Sequence, residues 1–217
     1  MPDPPTPTGD PAPHRVYDRI AAHFSETRAH PWPDVADFVA EREGARGLDL
    51  GCGNGRHAEL LVEQCETAIG VDASAGLLAE ARARAAERGY ADALALVRGD
   101  ARRVPLAAET IDLAVYVATL HHLPSRTARV ASLDELARVL APGGEALVSV
   151  WSTTHERFAE DEGFDTTVEW TLPGGDVEGR FYHIYDPAEF RADLDASALG
   201  VVDVSESRGN SYAVVTS

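Results

Sequence analysis

The stretch LDLGCGNGRH, residues 48–57, decides the fold. Its start, GLDLG, is a short apolar run that reads as a buried strand breaking into a tight loop. Glycines at 51, 53 and 55 let the backbone turn sharply and approach a ligand closely. A dinucleotide-binding loop is spaced G-x-G-x-x-G. Here the spacing is G-C-G-N-G, with Asp49 two residues ahead of the first glycine. A carboxylate at that point suits a cationic ligand rather than a pyrophosphate. Asp72 closes the next apolar run, AIGVD, 17 residues beyond Gly55, placed to accept hydrogen bonds from ribose hydroxyls.

Outward from the loop, strands and helices alternate. HRVYDRIAAHFSETR has a helical period, with Tyr17, Ala21, Phe24 and Arg28 on one stripe, stopped by Pro31. A short helix follows over 34–42, and another over 56–64. Ser74 caps a helix ending at Gly89. LALVRGD (94–100) and IDLAVYVAT (111–119) are the third and fourth strands. Ser125 caps a helix whose stripe is Val130, Leu133, Ala137 and Leu140, ended by APGG. EALVSVW (145–151) is the fifth strand. Asp186 and Pro187 open a late helix, with Glu189 able to complete a capping box. GVVDVSES and SYAVVTS close the chain as a hairpin turning at RGN. The pattern predicts an α/β Rossmann-like architecture: a seven-stranded, mostly parallel sheet with one antiparallel strand and helices on both faces. Residues 1–13 read as a disordered proline-rich arm and 14–217 as a single domain. Within it, 14–45 form a helical lid, and 152–185 form an insertion over the carboxyl ends of the strands, where ligands bind.

Apolar residues make up 44% of the 217, which excludes wholesale disorder. No apolar run approaches the roughly eighteen residues of a membrane span, and the start lacks the basic and apolar regions of a signal peptide. Cys52 and Cys65 support no disulfide framework, so a cytoplasmic protein without membrane attachment is expected. Net charge is −17, from 36 acidic and 19 basic residues, and every basic residue is Arg. This composition reads as adaptation to a salt-rich cytosol, as in a halophile, and lowers the expectation of a nucleic-acid partner without excluding a local Arg patch.

RGDARRVP places Asp100 and Ala101 at the end of the third strand, suited to an adenine edge. Cys52, inside the crowded loop, reads as a packing residue rather than a nucleophile. No His, Cys and Asp cluster has metal-ligand spacing, so no metal is expected. HHLPSR follows the fourth strand, where a substrate meets the cofactor. His121 and His122 cannot both face the pocket if the backbone there is extended.

The glycine loop, Asp72, Asp100 and ATLHHL, in that order, resemble the class I S-adenosylmethionine-dependent methyltransferases over residues 46–151. Two further segments, YDRIAAHFSETRAHPWPDV (17–35) and VEWTLPGGDVEGRFYHIYD (168–186), make the chain from residue 14 onward similar to one family. These are the tRNA wobble-uridine methyltransferases, which esterify the carboxyl group of 5-carboxymethyluridine. The chain departs from them in lacking Lys and in its proline-rich start. The resemblance implies S-adenosyl-L-methionine as cofactor, held by Tyr17, Asp49, Gly51, Gly53, Asn54, Gly55, Asp72, Ala73, Asp100 and Ala101. A carboxylate nucleophile needs no base, only donors to hold it, and Arg28, His122, Arg180 and His183 are the candidates. His30, Trp32, Trp151 and Tyr182 would contact an unstacked base from the tRNA anticodon loop. The resemblance also implies a small zinc-binding activator protein that adds a strand at an edge formed by residues 93–99, giving a heterodimer. Two alternatives are a small-molecule methyltransferase of the same fold and, in another class, a non-catalytic cofactor-binding scaffold.

Overall fold

The computed structural model describes residues 13–217; the arm assigned to 1–13 lies outside the described residues except for Pro13, which opens the first helix. In chain order the elements are α1 (Pro13–Thr27), α2 (Pro33–Ala40), β1 (Gly44–Leu50), α3 (Ala58–Gln64), β2 (Cys65–Asp72), α4 (Ala75–Arg88), β3 (Leu94–Arg98), β4 (Ile111–Val117), α5 (Arg126–Val139), β5 (Leu140–Trp151), β6 (Phe164–Thr171), β7 (Val177–Ile184), α6 (Pro187–Asp195), β8 (Gly200–Ser207) and β9 (Asn210–Thr216). One seven-stranded sheet has the order β3-β2-β1-β4-β5-β9-β8. Strand β9 runs antiparallel to both of its neighbours, β5 and β8, and the remaining pairs are parallel.

Side-chain alternation along β4 divides the core. Ala114 and Tyr116 join Leu133 and Leu136 of α5 and Phe190 and Leu194 of α6. Leu113, Val115 and Val117 join Phe38 of α2 and Leu61 of α3 on the opposite face. Chain order reverses direction between β1 and β4, and the crevice outside their carboxyl ends is where such sheets bind ligands.

The helix starts follow their caps. Ser74 Oγ accepts from Leu77 N, Ser125 Oγ from Ala128 N, and Asp186 from Ala188 N and Glu189 N. Glu189 closes no capping box; its carboxylate reaches His183 and Arg129 instead. Helix α2 begins at Pro33, whose fixed φ suits a first helical position. Helix α3 begins two residues later than expected, at Ala58, because the glycine loop runs through His57. Leu140, expected on the α5 stripe, is extended and pairs with Ile111, so β5 starts there rather than at 145. Pro142, two residues on, cannot continue a helix. The segment over 152–185 carries a two-stranded sheet, β6 paired with β7, which packs on α1 through β7.

Gly51 shows why the loop is glycine-rich. Its φ is +77°, and a Cβ there would strike the Thr119 side chain. Gly51→Ala is expected to destabilise the fold by more than about 2 kcal/mol, from left-handed strain plus the clash. Chemical denaturation followed by circular dichroism measures this.

Candidate active site

A cavity of about 460 Å³ opens at the carboxyl ends of β1, β2 and β4. Its floor is the glycine loop. Gly51 and Cys52 donate their N–H groups to Val71 O at 2.7 and 3.0 Å, which folds the loop back onto β2. Asp72 secures the same turn: Oδ2 accepts from Gly53 N and Oδ1 from Ser74 N, each at 2.8 Å. Burial raises its pKa while these N–H groups oppose the rise. Asp72 and Ala73 line one wall, and Asp100 and Ala101 line another. Asp100 is held below the usual carboxylate range, chiefly by its 2.6 Å pair with Arg102. Gly51, Gly53 and Asn54 also line the cavity, whereas Gly55 faces α4, where a Cβ would sit 3.2 Å from Ala81 Cβ.

Asp49 lies behind the loop. It is 1% exposed, and its Oδ2 has no hydrogen-bond partner. Burial first, then the neighbouring Asp72 charge, push its carboxyl up to about 7.

Helix α1 roofs the cavity with Tyr17 and Phe24. Asp18 anchors it, accepting from Ser74 Oγ at 2.6 Å and Gly76 N at 2.9 Å at the start of α4. Asn54 ties the loop to the far end of α1, donating to Arg28 O at 3.0 Å and to Ser25 Oγ at 3.3 Å.

At the other end, residues 120–122 form a 3-10 turn rather than extended chain, so the two histidines take different places. His122 lines the cavity. Its Nδ1 lies 2.9 Å from Phe181 O and therefore carries the proton, so Nε2 accepts from the Tyr17 hydroxyl at 3.0 Å. His121 stacks behind it, and its Nδ1 accepts from Trp151 N at 3.0 Å. Arg180 of β7 donates to Tyr182 Oη at 3.0 Å and Tyr17 Oη at 3.4 Å. The guanidinium lies 4.9 to 5.9 Å from the ring centres of Trp170, Tyr182 and Tyr17. Arg180 is 8% exposed, and its Nε has no partner.

Tyr17, His122, Arg180 and Tyr182 thus form one cluster. The other residues expected at the substrate end lie apart from it. His183, expected among the donors to the nucleophile, is engaged elsewhere: Nδ1 meets Asp165 at 2.7 Å and Nε2 meets Glu189 at 2.9 Å. Arg28 is exposed beyond α1, with its guanidinium 5.4 Å from the Trp170 ring. His30 is exposed on the following loop and does not line the cavity. Trp32 packs on Arg56 and His57, outside the lining. Trp151 sits among Tyr182, His155 and Phe158, one layer back. Sequence reasoning passed over Arg56, His57 and Thr119, all of which line the cavity. For Arg56 a signal existed: a cation placed directly after the last loop glycine. Among the described residues no cluster of three His, Cys, Asp or Glu side chains is placed to hold a metal ion.

Residues 48–148 match a family model described as a methyltransferase domain. A protein of Encephalitozoon cuniculi, named a candidate methyltransferase, is 32% identical over 93% of this chain and 93% of its own. The tRNA (carboxymethyluridine(34)-5-O)-methyltransferase of Schizosaccharomyces pombe is 28% identical, covering 93% of this chain and 94% of that protein. The Xenopus tropicalis protein of the same name is 40% identical over 66% of this chain but only 21% of its own length. The chain likewise spans about half, 56%, of the Saccharomyces cerevisiae relative. Among solved structures, the CcbJ methyltransferase of Streptomyces caelestis superposes with a TM-score of 0.74 at 22% identity, covering 93% of this chain and 97% of that one. A chain from the complex of the Haloferax volcanii Trm112 methyltransferase activator with a methyltransferase gives 0.70 at 18%, covering 94% of this chain and 96% of that one. The fold is the Rossmann-like fold of class I methyltransferases. The chain belongs to the methyltransferase family.

Burial depresses the His122 pKa to about 4, with Arg180 adding to the effect and the Phe181 carbonyl opposing it. The ring is therefore neutral from about pH 8 down to about pH 5 and gains charge only below that. NMR titration of the imidazole carbons should show no inflection for His122 near its ordinary value of about 6.5. In Tyr17→Phe, Nε2 loses its donor and the shifts of this ring should move at every pH.

Proposed function

We propose that this protein transfers a methyl group from S-adenosyl-L-methionine to the carboxylate of 5-carboxymethyluridine at the tRNA wobble position. The observation that carries the reading is Arg180: a buried guanidinium in an aromatic cage, next to the cavity, with no carboxylate paired to it among the described residues. A buried cation left unpaired is costly, and an anionic substrate group would remove that cost.

The cavity residues fit the cofactor. Asp72 offers lone pairs to ribose hydroxyls beyond those used by Gly53 and Ser74. Asp100 and Ala101 face the adenine, and the orphaned Asp49 carboxylate suits an ammonium group. When bound, the sulfonium supplies an electrophilic methyl group, with the breaking C–S bond electrons going to sulfur.

The rest is positioning. A carboxylate nucleophile is ionised at neutral pH and needs no base. Among the described residues the bases of the lining are engaged: His122 Nε2 by Tyr17, His57 Nε2 by Trp32 N, and the carboxylates Asp72 and Asp100 at the other end. Arg180 orients the nucleophile with the Tyr17 and Tyr182 hydroxyls. The exposed Arg28 and His30, outside the cavity lining, are candidates for contacts with the RNA beyond the reacting base, and Trp151 backs Tyr182. The names of the Schizosaccharomyces pombe and Xenopus tropicalis relatives support this substrate.

Strand β3 forms one edge of the sheet, beside a groove lined by Ala85, Leu94 and Leu96. A small zinc-binding activator adding a strand there would complete a heterodimer; the partner named with the Haloferax volcanii structure supports it. No helix among the described residues is long and apolar enough to cross a membrane. A salt-rich cytoplasm accords with that and with the acidic, lysine-free composition.

Incubation of tRNA bearing 5-carboxymethyluridine with the protein, its activator and cofactor, followed by nucleoside mass spectrometry, tests the reading. Conversion to the methyl ester is expected; methylation of small metabolites alone would overturn it. Arg180→Gln should lower kcat/KM for tRNA by roughly ten- to a hundredfold, the scale of a charge-assisted hydrogen bond. Cofactor affinity should stay within about twofold.

A further inference from the structure

Six side chains make one contact series across the substrate end. The Arg28 guanidinium lies 5.4 Å from the Trp170 ring centre, and Arg180 lies 4.9 Å from the same ring. Arg180 is 5.3 Å from the Tyr182 ring, Tyr182 is 5.5 Å from Trp151, and the Arg157 guanidinium stands 5.6 Å from Trp151. Guanidinium groups therefore occupy both ends and the middle, with aromatic rings between them. The middle one, Arg180, is buried, and the two at the ends belong to exposed residues.

Arg157 takes no part in the site described so far. It lies in the segment after β5, on backbone that is tied down. Ser152 N donates to Gly209 O at 3.0 Å, Thr153 N to Tyr185 O at 2.8 Å and Arg157 N to His155 Nδ1 at 3.1 Å. The segment also holds Glu156 and the acidic run 160–162, yet among the described residues Arg157 forms an ion pair with none of them. A guanidinium lying against an indole keeps its N–H fork free for an anion and loses less freedom on binding one. In a chain of net charge −17, an exposed arginine that is held in place and left without an acidic partner is a local exception.

The contact series also decides which anion fits. The rings of Tyr182 and Trp151 stand between Arg157 and Arg180, so one carboxylate does not reach both cations. A second anionic group on the same substrate is needed, and a polynucleotide carries one at every phosphate. We propose that Arg157, backed by Trp151, binds a backbone phosphate of the RNA next to the nucleotide whose base enters the cavity. Arg157 thereby favours a nucleotide within a chain over the same nucleoside free in solution. This rests on the reading of Arg180 as the site of a carboxylate carried by tRNA.

Fluorescence anisotropy of the full chain with an anticodon stem-loop RNA carrying 5-carboxymethyluridine, across a range of KCl concentrations, tests it. One phosphate contact contributes roughly 0.7 to 0.9 to the slope of log affinity against log salt. Arg157→Gln should flatten the slope by about that much and weaken binding roughly three- to tenfold at the low-salt end. Arg157→Lys should restore the slope, because the charge returns, and only part of the affinity. Arg46→Gln is the control: Arg46 is exposed near the start of β1, at the opposite end of that strand from the cavity, and its loss changes net charge equally. It should leave the slope unchanged. Equal flattening by Arg157→Gln and Arg46→Gln reduces the effect to net charge and overturns the proposal. An unaltered slope in Arg157→Gln overturns it too, while RNA binding by the unmodified protein leaves the wobble-uridine reading standing. If the unmodified protein does not bind the RNA at all, that reading falls and the proposal falls with it.

Discussion

A buried ionisable group with no partner of opposite charge costs several kcal/mol when charged, and this fold places three in or behind the lining of one cavity. Asp49, Arg56 and Arg180 are each nine-tenths buried or more. Among the described residues none has a side chain of opposite charge in hydrogen-bonding contact. The contrast with the outer network is direct: the buried Arg129, Asp193 and His183 find charged partners in one another or in the half-buried Glu189. The unpaired charges lie where ligands are proposed to bind. Asp49 and Arg56 flank the glycine loop, and Arg180 stands beside His122. Ligands that complete these charges would stabilise the protein by mass action as well as undergo reaction.

The scaffold holds the charges in place through backbone contacts. Asp72 joins the loop to the start of α4 with one hydrogen bond from each side. Asp18 and Asn54 then fix the two ends of α1 over the cavity, so the roof is tied to the floor by side chains that cap or brace. Tyr17 links roof to substrate end, since one hydroxyl meets His122, Tyr182 and Arg180.

Much of this was legible from local pattern. The glycine loop, the strand alternation, the Ser74, Ser125 and Asp186 caps and the single antiparallel strand follow from periodicity and turn chemistry. The placement of Asp72, Asp100 and His122 on the cavity follows from their positions at or just beyond strand ends, whereas that of Tyr17, inside α1, came from the family resemblance. What local pattern lacked was tertiary pairing. Glu189 looks like a capping residue until β7 brings His183 within 2.9 Å of it, and that contact occupies a histidine otherwise free for substrate. Arg56 looks like one more surface cation until Trp32 folds over it. Pro173, Gly174 and Gly175 mark the turn of the β6–β7 hairpin, but nothing local docks that hairpin on α1, so Arg180 could be matched to chemistry but not to its aromatic cage.

The central claim is that ligands complete unpaired buried charges, and proton release on cofactor binding tests it most directly. Asp49 is mostly protonated at about pH 6, because its carboxyl is raised to about 7. To meet the ammonium group of the proposed cofactor it must ionise, so on this account binding lowers its pKa and expels the proton. Calorimetry of S-adenosylhomocysteine binding at about pH 6, in buffers of different ionisation enthalpy, should show release approaching one proton per cofactor, and none in Asp49→Asn. Binding without proton release, or equal release from the variant, would contradict the account.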